Sequence, residues 1–263
     1  MNPFWLGPGA AARGYRLDGR ESVGSTMVEA ARAAAAGDRG DLWVAALNQS
    51  AGRGRRGRVW QTTSGNLAAS LLVEPGCEPA LMATLGFVAG LALHEALSAV
   101  VEPALADRFR LKWPNDVLAD GQKMAGILLE AVPLGTGQSG VVVGIGVNVV
   151  AAPEGVPYPV TSLQALGSAV TAPDVFAALS ERWCSAFALW DQGRGLPDLL
   201  AAWRARAFGL NGPVRIEQND EVIDGTFETV DETGRLVLRT PENRRIVISA
   251  GDVHFGAVRT LRS

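Results

Sequence analysis

Cysteine and histidine are scarce in this chain of 263 residues, with two of each: Cys77 and Cys184, His94 and His254. Two distant cysteines in unrelated contexts make neither a disulfide framework nor a metal set, and they fit a reducing cytoplasm. Two separated histidines exclude a zinc-ligand set and a Ser–His–Asp or Cys–His arrangement, so no metal site is expected. Long apolar runs are missing too; stretches such as Val141–Val150 are too short or too glycine-broken to span a bilayer. The N-terminus, MNPFWLGPGAAARGYRLDG, lacks a basic start followed by an apolar stretch, so no signal peptide is expected. A basic excess is also absent. The net charge of −3 argues against a general nucleic-acid binder, and internal repeats are not found.

What is present is a large apolar fraction, 48 % of residues, which calls for a packed core. The length suits one large core, or one core with a smaller appended domain. A helix is predicted over Thr26–Gly37, with capping-box spacing between Thr26 and Glu29 and a left-handed stop at Gly37. Strands follow at Leu42–Leu47 and Leu67–Val73, then an apolar helix over Pro79–Val101. Phe109–Trp113, Asp116–Ala119 and Lys123–Val132 read as short strands, the last two joined at Asp120-Gly121. Gly140–Val150 reads as another strand, and Pro173–Gln192 and Leu196–Phe208 as amphipathic helices. After a break at Gly209–Pro213, short strand patterns recur at Val214–Gln218, Val222–Val230, Leu236–Arg239 and Arg245–Ser249. That spacing suggests a small antiparallel barrel of about fifty residues.

Charge is concentrated in one place. Gln49–Trp60, QSAGRGRRGRVW, sets four arginines among three glycines between two apolar strands. A solvated basic turn would leave that repulsion uncompensated, and RGG-like segments usually repeat in long polar tracts. A Gly/Arg loop folding its N–H groups and guanidinium forks around phosphate or carboxylate oxygens accounts for both features. Trp60 is equally explained as a core residue or as a flat wall for an adenine ring. Lys112–Asp116, KWPND, could be ordinary turn chemistry after a strand, or a strand end carrying ligand contacts. Lys123 enters an otherwise apolar strand just before Gly126, so it needs an anionic partner unless it snorkels at an edge. Ser25 and Thr26 at a helix start are explained by capping, and a ligand anion there is compatible. His94 sits at helical spacing in an apolar helix and reads as a core or boundary residue. ATP activation of a carboxylate needs no protein nucleophile, only alignment and charge neutralisation, which Arg, Lys and Mg²⁺ supply.

In order along the chain, GRGRRGR-x-W, KWPND and K-x-AGILxE resemble the biotin protein ligase family, from about Ser22 to the C-terminus. The resemblance implies an α+β fold: a mixed sheet flanked by helices over residues 1–210, and an SH3-like barrel over 211–263. It implies biotin and its carboxylate among Ser25, Thr26, Gln49, Gly52, Arg53, Arg55, Lys123, Gly126, Gly144 and Gly146. ATP and the adenylate would face Arg55, Arg56, Arg58, Trp60, Lys112, Asn115, Asp116 and Asn148. Arg55 and Lys123 would serve the chemistry, with Asp116 orienting the acceptor lysine of a biotin carboxyl carrier protein. The substrates would be biotin and Mg²⁺-ATP, in a cytoplasmic monomer or homodimer with no membrane or DNA partner.

Two departures stand out. The family usually writes Ser-Thr-Asn where this chain has Ser25-Thr26-Met27, and only twenty-four residues precede Ser25, too few for the winged helix of repressor members. Lipoate–protein ligase, with the same adenylation logic, is the alternative within the superfamily. A non-catalytic nucleic-acid-binding module is the alternative outside it, distinguished by steep salt dependence without need of ATP and biotin.

Overall fold

In the computed structural model, which describes residues 2–135, 138–218, 221–249 and 251–255, seven strands join into one mixed sheet. They are β1 (Arg16–Arg20), β2 (Leu42–Ala46), β3 (Leu67–Val73), β4 (Phe109–Lys112), β5 (Asp116–Ala119), β6 (Gln122–Pro133) and β7 (Ser139–Val147). Their spatial order is β1-β2-β3-β7-β6-β5-β4, with β1 and β2 parallel and every other neighbouring pair antiparallel. The helices are α1 (Pro8–Ala12), α2 (Thr26–Ala35), α3 (Pro79–Met82), α4 (Leu85–Val100), α5 (Pro103–Ala106), α6 (Ala172–Trp190) and α7 (Leu196–Arg204). Because strand side chains alternate between faces, Trp43, Leu71, Val143 and Ile145 join α4, α6 and α7 in the main core. Val44, Leu72 and Val142 point the other way and meet Met27, Ala30 and Ala34 of α2. Helix α2 covers only part of that second face, and the remainder is the floor of a cleft.

A second, five-stranded antiparallel sheet follows: β8 (Pro213–Gln218), β9 (Glu221–Val230), β10 (Leu236–Arg239), β11 (Arg245–Ile248) and β12 (Asp252–Phe255), ordered β11-β10-β9-β8-β12. It is the small SH3-like barrel, with β12 as a strand beyond those read from the sequence. Its apolar residues Val214, Ile216, Phe227 and Leu236 belong to the same continuous core as the large sheet. Trp113 Nε1, just after β4, donates to Gly234 O at 2.9 Å and Arg204 Nη1, on α7, to Val230 O at 3.0 Å, so side chains of the larger part hold the second sheet.

Several expectations shift. The predicted helix Pro79–Val101 divides at Ala83–Thr84, where the Thr84 hydroxyl donates to Leu81 O at 2.6 Å and accepts from Trp190 Nε1 at 2.8 Å. By length and composition Pro79–Val100 is apolar enough to cross a bilayer, which corrects the sequence reading, yet 67 % of its most apolar window is buried inside the protein. Helix α7 stops at Arg204, short of Phe208, because Ala207 bridges Leu111 and Phe208 N donates to Leu111 O, returning the chain to the sheet edge. The strand read as Gly140–Val150 is Ser139–Val147. Residues ahead of Ser25, given no elements from sequence, form α1 and edge strand β1, tied to α6 by Gly7 N to Ser180 Oγ (2.8 Å) and Gly9 N to Glu181 Oε2 (2.6 Å).

Candidate active site

A bulge decides which way the central lysine points. On β6, Leu128 and Gly126 share the cleft face by alternation, and strict alternation would send Lys123 to the opposite side. Leu118 instead pairs with Lys123 and Val117 with Ala125, leaving Met124 as the extra residue. Met124 turns into the core and Lys123 returns to the cleft. There Lys123 Nζ is 2.8 Å from Asp116 Oδ1, both side chains largely buried. The expected anionic partner is thus present, and the edge-snorkelling alternative is not what the fold uses. On the neighbouring strand Asp116 also pairs in register with Lys112.

The arginine loop folds as a small hairpin over the cleft. Arg53 and Val59 form a bridge, Gly54 N donates to Arg58 O at 2.8 Å, and Trp60 N donates to Gly52 O at 3.0 Å. Its tip turns at Arg55–Gly57, with φ of 54° at Arg56 and 73° at Gly57, a left-handed stretch that glycine favours. Arg53 Nη2 pairs with Glu130 Oε2 at 2.8 Å, and Arg55 Nη1 donates to Asn115 Oδ1 at 3.1 Å. Asn115 is fixed in turn by its Nδ2 bond to Ile127 O at 2.6 Å. Glu130 therefore offsets part of the charge that looked uncompensated in sequence. Trp60 is the wall, not a core residue. Its ring lies over Gly146 and Gly126, where a β-carbon on Gly126 would come within 3.0 Å of Trp60 Cζ3.

The blind end of the cleft is built by the start of α2. Ser25 is the N-cap, one residue before the predicted Thr26, but makes no side-chain cap bond. Gln49 Oε1 instead reaches the first helical N–H, accepting from Thr26 N at 2.8 Å and Thr26 Oγ1 at 3.1 Å, while Ser70 Oγ donates to Thr26 Oγ1 at 2.8 Å. The Ser25 hydroxyl is buried and has no hydrogen-bond partner, which corrects the reading that capping consumes it. Met27 closes this end against Gly144, where a β-carbon would come within 2.6 Å of the thioether sulfur.

Together these residues enclose a cleft of about 580 Å³. It brings together Ser25, Thr26, Gln49, Arg53, Arg55 and Arg58 with Trp60, Lys112, Asn115, Asp116, Lys123, Gly126, Gly144 and Gly146. Three expected residues lie outside its lining. Gly52 closes the base of the hairpin, Arg56 is on its outer turn, and Asn148 is buried with its Nδ2 donating to Thr161 O at 3.1 Å. Asn148 borders a smaller neighbouring pocket of about 50 Å³. The sequence reading, which noted Met27 as a departure from the family pattern, missed Ser70, Val156 and Tyr158 in the lining, and also Glu217 and His254 from the barrel, 3.7 Å apart at its rim. A search for polar and aromatic residues after the Gly144–Gly146 strand would have found Tyr158; nothing local signals Glu217.

His94 lies in the core on α4, with Nε2 3.3 Å from Phe109 O, and burial pushes its pKa down to about 4. Among the described residues no group of three His, Cys, Asp or Glu side chains stands together as a metal cage. Five cationic side chains instead converge on the cleft, in a chain of net charge −3: Arg53, Arg55, Arg58, Lys112 and Lys123. Such a site suits a polyanion and one carboxylate, gripped by bidentate forks and point charges.

Comparison with known proteins agrees with that chemistry. Residues 31–148 match the biotin/lipoate A/B protein ligase family, and residues 209–256 match the biotin protein ligase C-terminal domain. A biotin–[acetyl-CoA-carboxylase] ligase of Paracoccus denitrificans is 42 % identical over 88 % of this chain and 97 % of that protein. One of Mycobacterium tuberculosis is 36 % identical over 93 % of this chain and 91 % of that protein. The structure of biotin protein ligase from Aquifex aeolicus in complex with biotin and ATP superposes with a TM-score of 0.78 at 25 % identity, over 92 % of this chain and 99 % of that one.

Proposed function

The chain belongs to the biotin protein ligase family, and on that premise we propose that its cleft joins biotin to ATP and passes the biotinyl group to a carrier lysine. ATP-dependent biotin ligation is the activity that the family and its relatives share. The observation that carries the residue roles is the placement of the Lys123–Asp116 pair between a glycine-floored blind end and the arginine hairpin.

In the first step a biotin carboxylate oxygen attacks the α-phosphorus of ATP, the α–β bridging bond breaks, and pyrophosphate leaves with its electron pair. Ser25, Thr26, Gln49 and Arg53 would hold the biotin end of the substrate, beside the walls that Met27 forms over Gly144 and Trp60 over Gly146 and Gly126. Lys123 and Arg55 would meet the charge that grows on the phosphate, and Arg58, Lys112 and Asn115 the rest of the nucleotide, beside the Trp60 ring. Mg²⁺ would arrive on the triphosphate, because no protein cage for it stands among the described residues. In the second step the neutral amine of the acceptor lysine attacks the acyl carbon and AMP leaves. Asp116 would orient that amine.

The acceptor is a biotin carboxyl carrier protein of acetyl-CoA carboxylase in this reading, the chain acts in the cytoplasm as a monomer or homodimer, and DNA has no part. Residues 1–210 would form the catalytic unit and 211–263 the barrel. Lipoate is the less favoured substrate, because the C-terminal match is to biotin protein ligases and the relatives are biotin–[acetyl-CoA-carboxylase] ligases. The test is pyrophosphate release from Mg-ATP with biotin or lipoate offered in turn. Release with biotin alone is expected, and release with lipoate alone would move the chain to the lipoate branch.

A further inference from the structure

Lys123 is boxed in by aromatic rings from two different loops. Its Nζ lies 5.5 Å from the centroid of the Trp60 ring and 5.6 Å from that of Tyr158, and 2.8 Å from Asp116 Oδ1. Trp60 arrives on the arginine hairpin; Tyr158 arrives from the segment between β7 and α6. That second segment is fastened to the backbone of Lys123 itself. Lys123 N donates to Pro159 O at 2.9 Å, Thr161 N donates to Lys123 O at 3.0 Å, and Lys123 and Val160 form an isolated parallel bridge. Pro157 and Pro159 flank Tyr158, fixing φ at both prolines and restricting Tyr158 to extended conformations, so the ring is carried on a stiff support.

We propose that Tyr158 is a positioning residue for the adenylation step: with Trp60 it cages the Lys123 ammonium and holds it at the place where the biotin carboxylate and the α-phosphate meet. This rests on the adenylation reading above. A lysine side chain has four rotatable bonds and gives up substantial freedom when fixed. Asp116 alone would draw the ammonium toward the carboxylate, away from an incoming phosphate. Two ring faces attract the same cation without competing for its hydrogen bonds. The ammonium therefore keeps donors for the substrate anion while its location is set beforehand, which is the condition for electrostatic preorganisation.

The hydroxyl of Tyr158 has no part in this, so the phenyl ring alone should suffice. Single-turnover pyrophosphate release from biotin and Mg-ATP distinguishes the possibilities. Tyr158→Leu should slow adenylation by about 5- to 30-fold, the range of a partly desolvated cation–π contact, while Tyr158→Phe stays within about twofold of wild type. In a Lys123→Gln background the same Tyr158→Leu change should cost less than about twofold, since the cation it acts on is gone. An equal loss in both backgrounds would overturn the proposal and assign Tyr158 to direct contact with the nucleotide. A loss with Tyr158→Phe equal to that with Tyr158→Leu would overturn it in favour of the hydroxyl. A biotin-dependent burst in the wild type tests the adenylation reading separately, and melting temperatures of all variants separate these outcomes from misfolding.

Discussion

The indole of Trp60 occupies the space that a side chain at Gly146 would need: a β-carbon there would overlap the ring. The glycine on β7 and the tryptophan at the foot of the arginine hairpin therefore fit as one wall of the cleft. Gly146→Ala should push the ring off the sheet and open the hairpin while leaving the core intact. Intrinsic fluorescence of Trp60 should shift, the melting temperature should change little, and biotin affinity should fall by at least tenfold, about 1.4 kcal/mol. Unchanged biotin affinity in the folded variant would separate the glycine from the site.

Arg55→Ala and Lys123→Ala should be the most damaging single truncations, each costing about 3–4 kcal/mol, on the order of 100- to 1000-fold in adenylation rate. Pyrophosphate release measures this directly. His94→Ala should affect stability far more than chemistry, because its ring lies in the core against Phe109 O. Near-normal turnover with Lys123→Ala would contradict the role given to the lysine.

Ser25 is the N-cap of α2 but makes no side-chain cap bond. An N-cap serine typically contributes about 1 kcal/mol to its helix, but here Gln49 satisfies Thr26 N and the Ser25 hydroxyl is left unpartnered. Ser25→Ala should thus change stability by less than about 0.5 kcal/mol and weaken biotin binding by roughly tenfold, the loss of one hydrogen bond. Gln49→Ala should lower both. Calorimetry of unfolding and of biotin binding reads the two effects apart. A destabilised Ser25→Ala protein with normal biotin affinity would return the serine to a capping role.

Burial holds His94 neutral in the fold, with a pKa of about 4 against an ordinary 6.5. Between those values the unfolded chain binds a proton that the folded chain refuses, so this contribution is fully present above pH 6.5 and is lost as pH falls toward 4. Its upper bound is roughly 3 kcal/mol at 1.36 kcal/mol per pH unit. Chemical denaturation of wild type and His94→Gln from pH 7 to pH 4 should show a shallower decline in the variant; parallel curves would exclude His94 as the cause.

Much of the fold was legible because periodicity and burial agree. The run Leu67–Val73 is apolar except for Ser70, and all seven residues are buried. The ordered motifs around Arg55, Asn115 and Lys123 likewise brought the cleft into view before any coordinates. What was not legible depends on tertiary contact. Edge strand β1, RLDGR, carries charge and glycine and is a strand only because it lies parallel to β2. The bulge at Met124 reverses the face of Lys123, and no residue type marks it. Gln49 reaches the Thr26 N–H at the start of α2 from twenty-three residues away. Tyr158 reaches Lys123 from a segment between β7 and α6 to which the sequence reading assigned no element.

The most direct test is capture of the intermediate. The protein is incubated with biotin and α-labelled Mg-ATP without acceptor, freed of small molecules, denatured, and its released ligand identified by mass. Stoichiometric biotinyl-5'-AMP in the wild type is expected, discharged to AMP and a biotinylated lysine when a carrier protein is added, and absent in Arg55→Ala and Lys123→Ala. A wild-type protein that binds both substrates yet retains no adenylate, or whose adenylate survives intact in Lys123→Ala at wild-type yield and rate, would contradict the account.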